Sequence, residues 1–336
     1  MNRRIVTKAS VVLAAAITAM TGSAWAQGSV PSAAQIQAYP AKPIQMIVPY
    51  PPGQAIDVIG RILADALGNT WKSGVFIDNK AGGASIPGMV AGKDAAPDGY
   101  SLTLASVGPI AINPALYPKL PYEPVRDYAM VNGVFAVPLV FVVAENSNIR
   151  TLQDMVEQSK KHPKTLNWGI AGTATVQHVA AESFKLRSGA DLTSVLYKGS
   201  GPMLTDILGG HIPIGVDSVT SALPHIKSGK MRAIAVTSAQ RIPQLPDVPS
   251  VAESGYAGFE AVGWVGLLAP RQTPPALVNK IAAEIQAVLA QPAVQAKINE
   301  NGAVVDARGP VEWSAFVRKE LDVWRTTVTQ SGIKID

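Results

Sequence analysis

The chain has 336 residues, 47% of them hydrophobic and 16% charged, with a formal net charge of +5 and no cysteine. That composition describes a globular chain long enough for two domains, and it excludes a disordered or disulfide-stapled one. Lys and Arg nowhere cluster with interleaved aromatics, so no nucleic acid is expected as a partner.

Arg3, Arg4 and Lys8 precede an apolar run from Val11 to Met20, and Ala24-Trp25-Ala26 follows it. A positive segment, a short apolar run and an A-x-A site read as a secretory signal peptide over residues 1–26, cleaved after Ala26. The run is too short to be a membrane span, and no Cys follows Ala26 to carry a lipid anchor. Losing three basic residues and no acid lowers the charge to +2. An exported, cysteine-free chain of this size fits a bacterial periplasm.

After a polar leader up to Tyr39, Ile44, Met46, Ile47 and Val48 form an apolar run of strand length. Pro49, Pro51, Pro52 and Gly53 break it. Ile56, Ile59, Ile62, Leu63 and Leu67 then recur at helical spacing, with Gly68 as the stop. A buried strand thus runs into a stiff loop and a helix start, whose free N–H groups and dipole favour an anion. An ordinary βα connection has the same outline.

The alternation continues. Val75–Ile77 reads as a strand, followed by a Gly-rich turn and a helix from about Pro87. Leu102–Ala105 is the next strand, with the loop Ser106-Val107-Gly108-Pro109 behind it, and the proline-rich 113–127 reads as irregular. Phe135–Val143, interrupted by Pro138, is the first candidate crossover. Helix 152–161, strand 166–169, loop 171–175, helix 176–187, strand 193–197, helix 203–208 and strand 212–216 extend the pattern. Strand 233–237 and a proline-rich stretch lead to a second crossover at 259–268, and helices 275–290 and 310–329 close the chain. This order predicts an α/β fold of two lobes, each a mainly parallel sheet, joined by two crossover strands. The expected division is 39–137 with 259–336 as one domain and 138–258 as the other, hinged between them.

His162, His178, His211 and His225 show no metal-binding spacing, and no nucleotide or nucleophile motif is present. No metal, no cofactor and no catalytic residue is expected. The loop Ala171-Gly172-Thr173-Ala174-Thr175 repeats the strand–loop–helix plan of the first one, with Thr173 or Thr175 available as a helix cap. Two such loops, one per lobe, would make a pincer of neutral donors. Asp217 reads as a helix N-cap or, turned inward, as an acceptor. His178 reads as a packed, hydrogen-bonded group, and Trp264 as hinge packing.

Tyr197-Lys198-Gly199-Ser200-Gly201-Pro202, Asp206 to Gly210, and Ser221 to Ile226 resemble the Bug family, the solute receptors of tripartite tricarboxylate transporters. Leu245 to Gly255, Gly266 to Pro270, Asn79-x-x-Gly82-Gly83 and Pro97 to Tyr100 extend the likeness over the whole mature chain. The resemblance implies a type II periplasmic-binding-protein fold, no catalysis, and a small carboxylate ligand held between the lobes. It implies delivery to membrane permease subunits, and a monomer is expected. It points to Tyr50, Gly53, Gln54, Ala55, Asp57 and Ser106 from one lobe as ligand-binding residues. From the other it points to Ala171, Thr173, Ala174 and Thr175, and the strand-end residues Tyr197 and Asp217 join them as ligand-binding candidates on their position. One departure stands out: the family loop usually reads P-x-x-P-G-G-x-x-D, and here Gln54 replaces the second glycine. A sensory receptor and an exported enzyme on the same fold are the alternative readings.

Overall fold

The structure, a computed structural model, describes residues 32–331 and 333; the expected signal peptide lies outside the described residues. Among the described residues are ten strands: β1 (Ile44–Val48), β2 (Val75–Asn79), β3 (Ser101–Ser106), β4 (Tyr128–Ala144), β5 (Leu166–Ala171), β6 (Leu192–Tyr197), β7 (Ile214–Ser218), β8 (Met231–Val236), β9 (Val262–Pro270) and β10 (Val304–Val305). In β1 only Gln45 is even partly exposed, as expected for a parallel strand covered on both faces. The helix that follows, Ala55–Trp71, buries Ile59, Leu63 and Leu67 completely, the stripe that its hydrophobic spacing predicts.

Each lobe contains a parallel three-stranded block, β2-β1-β3 in the first and β6-β5-β7 in the second. The antiparallel pairs β3–β9, β9–β4 and β4–β7 join these blocks, so the complete sheet is mixed. The parallel blocks follow from the repeated β–loop–α order. The two crossovers carry the chain in opposite directions and lie side by side, so they pair antiparallel. In β4, residues Tyr128–Pro138 pair with β9, whereas from Leu139 onward the partners are β7 and β8. Pro138, which has no N–H to give a ladder, sits at the changeover.

Several stretches depart from the sequence reading, among them helices at Ala33–Gln37 and Pro292–Glu300 that it does not place. The irregular proline-rich segment holds short helices at Asn113–Leu116 and Pro124–Asp127, preceded by a π-helical turn at Gly108–Ile112. Glu123 makes the second of these helices possible by accepting from the Val125 and Arg126 amides. Asp217 belongs to β7 and is not a helix cap. Ser218 caps the next helix, Val219–Lys227, by accepting from the Ser221 amide. The reason is the ladder: Val140 and Leu139 of β4 pair with Asp217 and Ser218, which prolongs the strand by two residues.

The final helix, Pro310–Ser331, fastens the return crossover. Trp264 and Trp324 both donate their indole N–H to Glu320 Oε2, at 2.7 and 2.9 Å. Trp264 also stands edge-on to Trp313 and Phe316.

Candidate functional site: a cleft between two helix starts

The loop after β1 ends in Gly53, whose φ of +86° is a conformation that glycine adopts without strain. Its N–H donates to Asp57 Oδ2 at 2.9 Å, and the same carboxylate takes bonds from Arg61 and Asn79. Burial alone raises the Asp57 pKa, but these hydrogen bonds outweigh it and hold the group below its ordinary value. Asp57 therefore acts as an ionised strut under the loop. It leaves the Ala55 and Ile56 amides, in the first turn of the Ala55–Trp71 helix, with no acceptor among the described residues.

The second lobe repeats the arrangement. Thr175 caps the Val176–Ser188 helix, accepting from the His178 amide and donating to the Gly172 carbonyl at 3.0 Å. The Val176 and Gln177 amides reach no acceptor among the described residues. Ala174 takes a left-handed φ of +55°, uncommon for a residue with a Cβ, and its N–H donates to His178 Nδ1. Burial lowers the His178 pKa, partly opposed by Glu182, and so keeps that nitrogen an acceptor.

Both helix starts open onto one cavity of about 40 Å³ between the lobes. Tyr50, Gln54, Ala55 and Ser106 line it from the first lobe, and Thr175, Gln177 and Ser218 from the second. Val137, Leu139, Trp264 and Val265, on the crossover strands, form an apolar wall. Lys, Arg and His contribute nothing to the lining. Tyr50 Oη and Ser106 Oγ share a 2.7 Å hydrogen bond, and burial raises the Tyr50 pKa, so its hydroxyl stays protonated. The lobes touch around the cavity: Ser221 Oγ donates to the Gly53 carbonyl at 3.3 Å.

The remaining residues singled out from sequence sit around this cavity rather than in its wall. Asp57 lies below the first loop, and Gly53 lies on its exposed outer side. Ala171 is buried at the end of β5 and Ala174 in the second loop, where Thr173 is half-buried. Tyr197 turns its hydroxyl to Asp206 Oδ2 at 2.7 Å; burial and that bond push its pKa up to about 12. Asp217 is wholly buried behind Ser218, its Oδ1 accepting from Ser200 Oγ at 2.8 Å and the Ser218 amide at 2.7 Å. Its Oδ2 has no well-formed hydrogen bond among the described residues, and the Gln177 side chain offsets only part of the burial. Gln177, Ser218 and the apolar wall were not legible beforehand. The one signal for Gln177 and Ser218 is helix capping: Ser218 is itself a cap, and Gln177 follows the cap Thr175 by two residues.

A larger hollow, about 760 Å³, lies behind the crossover strands β4 and β9, between the Val176–Ser188 and Pro310–Ser331 helices. Among the described residues no helix start with free amides lines it; of its three acids, Asp306 and Glu320 serve Arg308 and the two indoles, and Glu260 is exposed to solvent. The small inter-lobe cavity is the functional candidate.

The sequence profile described as Tripartite tricarboxylate transporter family receptor matches residues 59–333. The chain belongs to this family. Protein BugT of Bordetella pertussis (strain Tohama I) is 35% identical over 298 residues, 88% of this chain and 91% of its own. The solved structure of the periplasmic binding protein BugD superposes with a TM-score of 0.83 at 32% identity, over 88% of this chain and 99% of that one. The structure of R. palustris Rpa4515 with adipate superposes with a TM-score of 0.84 at 28% identity, over 88% and 99%. The fold is thus the two-lobed fold of Bug-type periplasmic binding proteins. In that family loop the Gln54 position is the departure noted above, and the structure puts its side chain inside the cleft.

Proposed function

We propose that the chain is a periplasmic solute receptor that captures a small carboxylate-bearing acid between its lobes and hands it to the permease subunits of a tripartite tricarboxylate-type transporter. It acts as a monomer, catalyses no reaction and needs no cofactor or metal. Residues 39–137 with 259–336, and 138–258, are the two bodies that close on the ligand, after export and removal of residues 1–26.

The observation that carries this reading is the facing pair of helix starts. The amides of Ala55 and Ile56 on one side, and Val176 and Gln177 on the other, open onto one cavity without internal acceptors. Neutral donors and helix dipoles suit a carboxylate, which needs no Lys or Arg under these conditions. The family membership and the adipate carried by a structural relative support the same ligand class.

Melting the purified protein against a panel of carboxylates tests the proposal. An acid at about 100 times its Kd should add about 2.7 kcal/mol of stability and raise the melting point. Native mass spectrometry of freshly purified protein should show the natural acid as a bound adduct. A panel that leaves the melting point unmoved, with no adduct in the spectrum, contradicts carboxylate capture.

A further inference from the structure

Gln54 stands at the N-cap of the Ala55–Trp71 helix, yet its side chain makes no capping bond. The residue is only 7% exposed, lines the inter-lobe cavity, and its carboxamide has no hydrogen-bond partner among the described residues. A Cβ placed on Gly199 would lie 2.9 Å from Gln54 Nε2 and 3.0 Å from Pro51 Cγ. Gly199 belongs to the second lobe, immediately before the Ser200–Leu208 helix. The Gln54 side chain therefore crosses the cleft and ends against the backbone of the opposite lobe.

The space left is small. A cavity of about 40 Å³ has room for only a few waters, on the order of one per 10–15 Å³ of such volume. No cation lines it, and the buried Asp217 carboxyl stands behind Ser218 in the second lobe's wall. A second ligand carboxylate entering this space would lose its hydration without meeting a counter-charge.

We infer that Gln54 selects the ligand: its carboxamide closes one end of the cavity and restricts the site to short acids bearing a single carboxylate. The inference rests on the carboxylate reading above and narrows it. A carboxamide placed there can donate to the ligand's carboxylate through its NH₂ and accept from a hydroxyl or water through its oxygen. A glycine at the same position leaves that end open to a longer molecule.

Calorimetry of the full mature chain with butanoate, hexanoate, succinate and adipate separates length from charge. The wild-type protein should bind butanoate most tightly, with hexanoate and succinate each weaker by about tenfold or more. In Gln54→Gly, hexanoate should gain at least about tenfold relative to butanoate, because two further methylenes now find room. Gln54→Asn, which keeps the carboxamide on a shorter stem, should fall between the two and serves if the glycine variant folds poorly. Wild-type protein that binds hexanoate or adipate as tightly as butanoate overturns the inference. So does a length preference that survives Gln54→Gly, and a preference for succinate over butanoate overturns the single-charge part. If none of the acids binds either protein while both melt cooperatively, the carboxylate reading itself fails.

Discussion

Asp217→Asn should flatten a loss of stability that the wild-type protein shows as the pH rises from about 4 to about 7. Burial pushes the Asp217 carboxyl up to about 7, and the bonds from Ser200 and Ser218 offset only part of that. In the unfolded chain the same group titrates near the ordinary carboxylate value of about 3.9. Between those two values the folded protein holds a proton that the unfolded chain has released, so rising pH favours unfolding. The asparagine oxygen can still accept from Ser200 and from the Ser218 amide, and its NH₂ replaces the oxygen left without a good partner. The variant should therefore be more stable than wild type above pH 7, by up to about 3–4 kcal/mol, and close to it near pH 4. Urea unfolding at a series of pH values measures the gap directly. A constant gap across that range contradicts the buried, proton-retaining Asp217 described here.

Gly199→Ala should weaken ligand binding by roughly ten- to a hundredfold, since each tenfold corresponds to about 1.4 kcal/mol. Gly199 has a φ of +135°, where an L side chain is strained by about 1–3 kcal/mol, and its new Cβ would press on Gln54 Nε2 and Pro51 Cγ. The flexible end of Gln54 can yield, whereas the backbone cannot, so part of the cost is strain within the second lobe and part is obstructed closure. Pairing the change with Gln54→Gly separates the two parts. The double variant, which removes the Gln54 contact but keeps the one to Pro51, should recover part of the affinity for a carboxylate while keeping the lower melting point. Affinity that is unaffected in Gly199→Ala would contradict the close approach of the two lobes at this point.

The backbone plan was largely legible in the sequence because its signals are local. The apolar run at Ile44–Val48, the Pro-Gly break and the helical stripe through Ile59, Leu63 and Leu67 each depend on neighbours a few residues apart. Of the two readings of Asp217, the inward-turned acceptor matches its bond from Ser200, whereas the capping reading fails because the ladder that keeps it in the strand comes from Leu139 and Val140, far off in the chain. Tyr197 sits at a strand end as expected, but its hydroxyl goes to Asp206, a choice that sequence spacing does not encode. Val137, Leu139, Trp264 and Val265 line the cavity only because β4 and β9 cross between the lobes at that height. The unusual residue in the first loop, Gln54, was visible as a departure. Which way its side chain points is a property of the packed cleft.

Backbone amides from both lobes should grip one carboxylate at once. Backbone amide NMR of isotope-labelled protein, titrated with butanoate and repeated with succinate, tests it most directly. The resonances of Ala55, Ile56, Val176 and Gln177 should shift together along one saturating curve, since all four amides lie at the cavity with no acceptor among the described residues. Shifts confined to one lobe, or centred on Phe316 and Trp324 in the groove behind the hinge while these four amides stay still, would contradict it.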